Sequence, residues 1–239
     1  AGAFGVAVLA AGGIDHRVAE RLQRPAVQAD RRLQRAAVAL RRASQPGVLL
    51  AMPALWAGAR LAGDRSTATL GLRATEAAGV ALVATGIGKV VAGRQRPYLR
   101  PRDAGSWRLL RGVRGSDYAS FPSGHTTLGF AAAAALTAGQ RTSGARWALG
   151  VPLYATAAGM GWSRMYEDRH WTSDVVGGAA IGTLGGLAVS RWHRGRAAPR
   201  LDRWLLGVSL GPGGARPLVA PLVAPLVGEP AVPAAAAER

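Results

Sequence analysis

Three short stretches of this chain hold side chains that can do chemistry together. The first is Lys89-Val-Val-Ala-Gly-Arg-Gln-Arg96-Pro97, the second Phe121-Pro122-Ser123-Gly124-His125, and the third runs from Ser163-Arg164 to His170-Trp171-Thr172-Ser173-Asp174. Lys89, Arg96 and Arg164 supply three cations, and the two guanidinium groups can grip phosphate oxygens in bidentate fashion. Ser123 and the Gly124 N–H stand where a helix is expected to begin, a place where backbone donors and the helix dipole favour an anion. Glycine at that point lets the anion approach the backbone closely. Of the two histidines, one can attack phosphorus and the other can protonate the leaving group. His170 and Asp174 are four residues apart, which on a helix puts them on one face. A carboxylate there can hold the imidazole in one tautomer, and this favours His170 as the attacking group. No carboxylate cluster suited to a divalent metal is visible, since Asp174 is engaged and Glu167 and Asp168 lack partners. Charge neutralisation of the kind magnesium supplies elsewhere would fall to the three cations, so neither metal nor cofactor is expected.

Taken singly, each stretch has an ordinary explanation: cations completing a helix end, a helix cap, a surface His–Asp pair. The elements that carry them make coincidence harder to sustain. Apolar spacing, caps and turn signals predict an all-α, up-and-down bundle of about six helices. An amphipathic helix from Asp15 to Arg42, broken at Pro25, is followed by helices over about 48–62, 66–92, 126–138, 145–162 and 170–192. Residues 93–121 read as a long loop, and a loop of that length inside a domain is usually functional. In such a bundle Lys89 leaves the third helix, His125 opens the fourth, Arg164 leaves the fifth and His170 opens the sixth. Connectivity then brings all three stretches to one end.

Composition narrows the function classes. The chain has 239 residues, a length for one ordinary domain; 30 Lys+Arg against 13 Asp+Glu leave +17. Half the residues (49%) are hydrophobic and 18% are charged, which excludes disorder for most of the chain. There is no cysteine, so thiol catalysis, a disulfide scaffold and cysteine-held metal are excluded. Lys89 is the single lysine; a compact ammonium there is not interchangeable with a guanidinium. A basic nucleic-acid binder would account for the charge. It would not account for the convergence, and aromatics, 6% of the chain, give little stacking surface. No nucleic-acid partner is therefore expected. Charge-free apolar runs cover about 13 residues at Gly47–Ala59, 12 at Ala77–Gly88, 17 at Trp147–Ser163 and 16 at Val175–Ser190. A spanning helix needs roughly 20, so the last two barely qualify and the first two suit buried helices. Ala1–Gly13, apolar and without a basic leader, reads as the remnant of a signal segment or membrane helix. Residues 1–200 are expected to form the helical domain. Residues 201–239, with Pro217-Leu-Val-Ala and its four-residue echoes, are expected to form an extended Pro/Ala-rich tail.

The three stretches match K-x6-RP, PSGH and SR-x5-H-x3-D, and so resemble the signature of the type 2 phosphatidic acid phosphatase superfamily. That group includes lipid phosphate phosphatases, bacterial acid phosphatases and vanadium haloperoxidases. The match runs from about 89 to 174, with no departure at the signature positions, and Gly71–Glu76 also resembles bacterial members. The resemblance implies a phosphomonoesterase on a helical bundle that works without metal through a phosphohistidine. It makes His170 the nucleophile, Asp174 its orienter and His125 the general acid and later base. Lys89, Arg96, Ser123, Gly124 and Arg164 would hold the phosphate oxygens. The implied substrates are lipid phosphates, such as phosphatidate or isoprenyl pyrophosphate, or small phosphomonoesters. Membrane association or a periplasmic location would follow, with the site facing outside the cytoplasm. The alternative reading is a vanadate-dependent haloperoxidase.

Overall fold

The computed structural model describes residues 2–101 and 103–194. Among these residues every regular element is helical: α1 (Gly2–Gly12), α2 (Asp15–Leu22), α3 (Pro25–Gln28), α4 (Arg31–Arg42), α5 (Leu49–Leu61), α6 (Arg65–Ala92), α7 (Gly124–Ala138), α8 (Ser143–Tyr166) and α9 (Thr172–Trp192). Local chemistry sets several of the boundaries. Asp30 Oδ1 accepts from the Arg32 and Leu33 N–H groups at the start of α4, and Asp64 Oδ1 does the same for Ser66 and Thr67 at α6. Each satisfies donors that have no partner inside the helix. Gly93 ends α6 with φ +54°, a left-handed stop that suits glycine.

The bundle is built around α7, which packs on α6, α8 and α9. Ala131, Ala133 and Ala134 on it are fully covered. Along α9, Gly178, Gly182 and Gly186 recur every fourth residue. A Cβ on them would stand 2.5, 2.3 and 2.6 Å from the carbonyl oxygens of Ser123, Thr127 and Ala131. No side chain fits between these two helices, so the backbones touch. This is how a chain rich in Ala and Gly makes a core: dispersion between close backbones replaces large interlocking side chains.

The expected all-α bundle is what the structure shows, with five differences in detail. The amphipathic segment from Asp15 to Arg42 is three helices, because Pro25 starts a new one at its first position and Asp30 caps the next. Residues Gly2–Gly12 form a helix that packs along α9. Helix α8 continues to Tyr166, so Arg164 lies in its last turn and not in a connector. His170 precedes α9, whose N-cap is Trp171; it therefore does not share a helical face with Asp174. The loop over 93–121 carries three short 3-10 turns, at Pro97–Leu99, Arg111–Arg114 and Ser116–Tyr118. The proposed tail lies outside the described residues.

The segments Arg65–Leu99 and Thr172–Trp192 are long and apolar enough to cross a membrane. The first holds Ala77–Gly88, expected to be buried, yet only 28% of its apolar window is covered by the rest of the fold. Val80, Val83, Ile87 and Val91 form its bare outer face. The run at Trp147–Ser163 does not reach that standard.

Candidate active site

The ends of α6 and α8 and the starts of α7 and α9 meet, and they bring the eight sequence-predicted residues together. Lys89, in the last turn of α6, donates from Nζ to the Ala119 carbonyl at 2.6 Å. Its Cε lies 3.9 Å from where a Cβ on Gly124 would be, so the ammonium stands beside the first turn of α7. That Cβ would meet only ordinary contacts, 3.7 Å to Thr85 Cγ2 being the nearest. Packing does not require glycine at 124. Ser123 is fully buried, accepts from Thr126 Oγ1 at 2.9 Å and donates its N–H to the Asp174 carbonyl at 3.0 Å. This last bond ties the start of α7 to the start of α9.

Arg96 leaves α6 in extended backbone and reaches across the site. Its Nε donates to Ser116 O at 2.8 Å and its Nη1 to Arg169 O at 2.9 Å, which leaves Nη1 3.4 Å from His170 Nε2. Arg164 is buried and pairs through Nη1 with Glu167, while its Nε has no partner. On the other side of His170, Nδ1 stands 3.5 Å from Asp174 Oδ2. That is longer than a hydrogen bond. Burial pushes the His170 pKa down to about 3, against the pull of Asp174 and with help from Lys89 and Arg96. The ring is thus neutral across the physiological range, the state that attack by a ring nitrogen would require. Burial also lowers His125, to about 4, and the charges of Arg164, Lys89, Arg41 and Arg96 add to the effect.

A layer beneath these residues has no signal in the sequence. Asp174 Oδ2 accepts from Ser120 Oγ at 2.5 Å and from the Trp171 N–H at 2.9 Å, and Oδ1 accepts from Arg94 Nη1 at 2.5 Å. Arg94, 1% exposed, donates through Nη2 to Asp15 Oδ2 at 2.7 Å. Asp15, on α2, in turn accepts from the Ser173 N–H and hydroxyl at 2.7 and 2.6 Å. A carboxylate from a distant helix therefore caps α9. Arg94 stands in plain view inside the first stretch, but among 29 arginines nothing in the sequence distinguishes it. No group of three or more metal-ligating side chains is assembled among the described residues.

Beyond Arg96 and Arg164 the site opens into a cavity of about 640 Å³ lined also by Arg41, Ser116, Glu167 and Arg169. A segment of the chain is 45% identical over 69 residues to a lipid A 1-phosphatase of Porphyromonas gingivalis, covering 28% of this chain and 15% of that protein. No solved structure matches. A profile of the PAP2 superfamily matches residues 70–198. That stretch is more than half of the chain and contains every signature residue, and the chain belongs to the PAP2 superfamily.

Proposed function

We propose that this protein is a metal-independent phosphatase of phosphate monoesters, that its substrates are lipid phosphates, and that it turns them over through a phosphohistidine. The observation that carries the reading is His170 itself. It is neutral and buried, with Nε2 at the cation Arg96 and Nδ1 at the carboxylate of Asp174. In the first step Nε2 attacks phosphorus, the P–O ester bond breaks, and His125 gives its proton to the departing alkoxide. Asp174 steadies the charge that develops on the imidazole. In the second step His125, now neutral, takes a proton from water, which attacks the phosphohistidine and releases phosphate. Lys89, Arg96, Arg164, the Ser123 hydroxyl and the Gly124 N–H hold the three non-bridging oxygens, where charge stabilisation is worth most.

A lipid substrate is supported by the bare apolar face of α6, which suits a membrane, and by the name of the Porphyromonas relative. Membrane association places the site beside its substrate. A panel of lipid and soluble phosphates assayed in EDTA tests the reading. Phosphate release should persist under chelation, lipid phosphates should be preferred, and vanadate should inhibit. Loss of activity in EDTA with recovery in magnesium would overturn the mechanism. Halide oxidation switched on by vanadate and peroxide would assign the chain to the haloperoxidase chemistry instead.

The histidine environments set a pH dependence. As general acid His125 must carry a proton, yet in the empty site its pKa is near 4. A bound phosphate offsets the surrounding cations and raises it. The kcat/KM profile reports the free enzyme and kcat the complex. For an alkyl phosphate, once the substrate's own ionisation is subtracted, kcat/KM should decline from acidic pH upward while kcat holds to higher pH. Coincident limbs would remove His125 from the role.

A further inference from the structure

The end of the bundle farthest from the reacting groups carries a groove that phosphate chemistry leaves unused. It encloses about 470 Å³ between the end of α7 and the first turns of α8, with Thr137 on one side and Ser143, Arg146, Trp147, Val151 and Tyr154 on the other. Sites for apolar ligands have this size and this make-up, apolar walls with a few placed polar groups. Helix geometry fixes its position. At 1.5 Å per residue, Ser143 stands about 32 Å from Arg164 along α8. A molecule held there is a bilayer's thickness away from the phosphate cradle. The groove runs about 16 Å from Ser143 to Tyr154 by the same rise, which matches the roughly 15 Å of one leaflet in a hydrocarbon core about 30 Å thick.

The walls suit an acyl chain. Trp147 is 73% exposed and Val151 58%, and the exposed Ala155 and Ala158 continue the same face of α8. No charged residue occurs between Arg146 and Arg164. Gly150 is buried under this face, and a Cβ on it would stand 3.1 Å from Thr137 Cγ2. The floor of the groove is therefore helix backbone pressed on α7. Its inner end is fixed by Tyr154, whose ring meets Phe130 edge-on at 5.7 Å.

The mouth suits an anion. Arg146 Nε donates to the Gln140 carbonyl at 3.0 Å, which steadies the guanidinium, and neither Nη makes a hydrogen bond among the described residues. Arg141 adds an exposed cation nearby. No carboxylate lines the groove, so the amine of a zwitterionic head group would find no partner. Trp147 stands next to Arg146, as tryptophans do where hydrocarbon meets water, and basic pockets between helices at that level bind anionic head groups. We propose that this groove is a binding site for one anionic phospholipid of the leaflet opposite the active site. An acyl chain lies from Trp147 to Tyr154, and the head-group phosphate meets the two Nη groups of Arg146. This lipid is not a substrate. It bridges α7 and α8 and stabilises the folded chain by mass action. The site rests on the membrane association proposed above and is independent of the phosphatase chemistry.

The test uses the full chain in phosphatidylcholine nanodiscs with phosphatidylglycerol or further phosphatidylcholine brominated near the top of its chains, which quenches a tryptophan that it touches. The Trp147 signal is the emission lost in Trp147→Phe. Half-quenching should need about tenfold less brominated phosphatidylglycerol than brominated phosphatidylcholine, the scale of one charge-assisted hydrogen bond. Arg146→Ala should remove that preference, whereas Arg141→Ala, at the same end but outside the groove, should keep it. Native mass spectrometry should find one phosphatidylglycerol retained by the native protein and none by Arg146→Ala, with circular dichroism confirming that both are folded. Coincident curves for the two lipids would mean ordinary lipid solvation and overturn the site. So would Trp147 emission that neither lipid reaches, since protein would then cover the groove, or equal losses in the two arginine variants. Retained phosphatidylglycerol in a protein that hydrolyses no phosphate ester would keep the site and defeat the phosphatase reading. Coincident curves in an active phosphatase would defeat the site alone.

Discussion

His170→Ala is expected to lose on the order of 10,000-fold or more in turnover of every phosphate ester, because in the proposed mechanism the atom that bonds to phosphorus is gone and removal of a nucleophile costs at least that much elsewhere. His125→Ala should behave differently. General acid catalysis contributes about 100- to 10,000-fold, and an aryl phosphate whose leaving group needs little protonation should escape most of that loss. With the water-activating base also missing, the variant should accumulate phosphoenzyme. Quenched-flow trapping with labelled substrate, followed by peptide mapping, reads both effects. Label on a peptide containing His125, or aryl phosphate turnover by His170→Ala, would exchange the two roles.

The second large effect is on stability. Arg94 neutralises Asp15 and Asp174, and all three are at most 1% exposed. Arg94→Ala would take from two buried carboxylates the guanidinium they share. Breaking a buried pair by removing one partner costs about 3–5 kcal/mol, and here one deletion orphans two groups. Asp15→Ala should cost less, since Arg94 keeps Asp174 as a partner. The order of thermal midpoints should therefore be native, then Asp15→Ala, then Arg94→Ala, followed by circular dichroism in detergent. An Arg94→Ala protein as stable as Asp15→Ala would show that the network contributes little. Activity should fall in both variants, since Asp15 caps α9 and Arg94 fixes the carboxylate behind His170.

Much of the site is legible in the sequence alone. Lys89, Arg96, His125, Arg164 and His170 can be placed at one end of a bundle because each sits next to a helix boundary, and boundaries are marked by local residues such as Gly93 and Asp64. What stays hidden depends on contacts between distant parts of the chain. Asp15 reaches Ser173 and Arg94 across 158 and 79 residues, and in the sequence it looks like one more acid opening an amphipathic helix. The spacing of His170 and Asp174 suggests a shared helical face. Trp171, as N-cap, puts His170 outside the helix, and the two meet because Asp174 turns back to accept the Trp171 N–H. Four-residue spacing is the right signal with the wrong geometry. Arg41 is unreadable for a different reason: α4 carries arginines on most of its surface, and only packing on α8 selects which one faces the cavity.

The glycines of α9 divide the protein by tolerance to change. Where Gly178, Gly182 and Gly186 press on α7, even one added methyl group must push the helices apart, and the bond from Ser123 to the Asp174 carbonyl would stretch with them. The end of the bundle that holds Ser123 and Asp174 is consequently fixed by backbone contact. The wall of the cavity obeys no such rule: Arg41 and Arg169 reach the cavity through long side chains, and either can be exchanged without moving a helix.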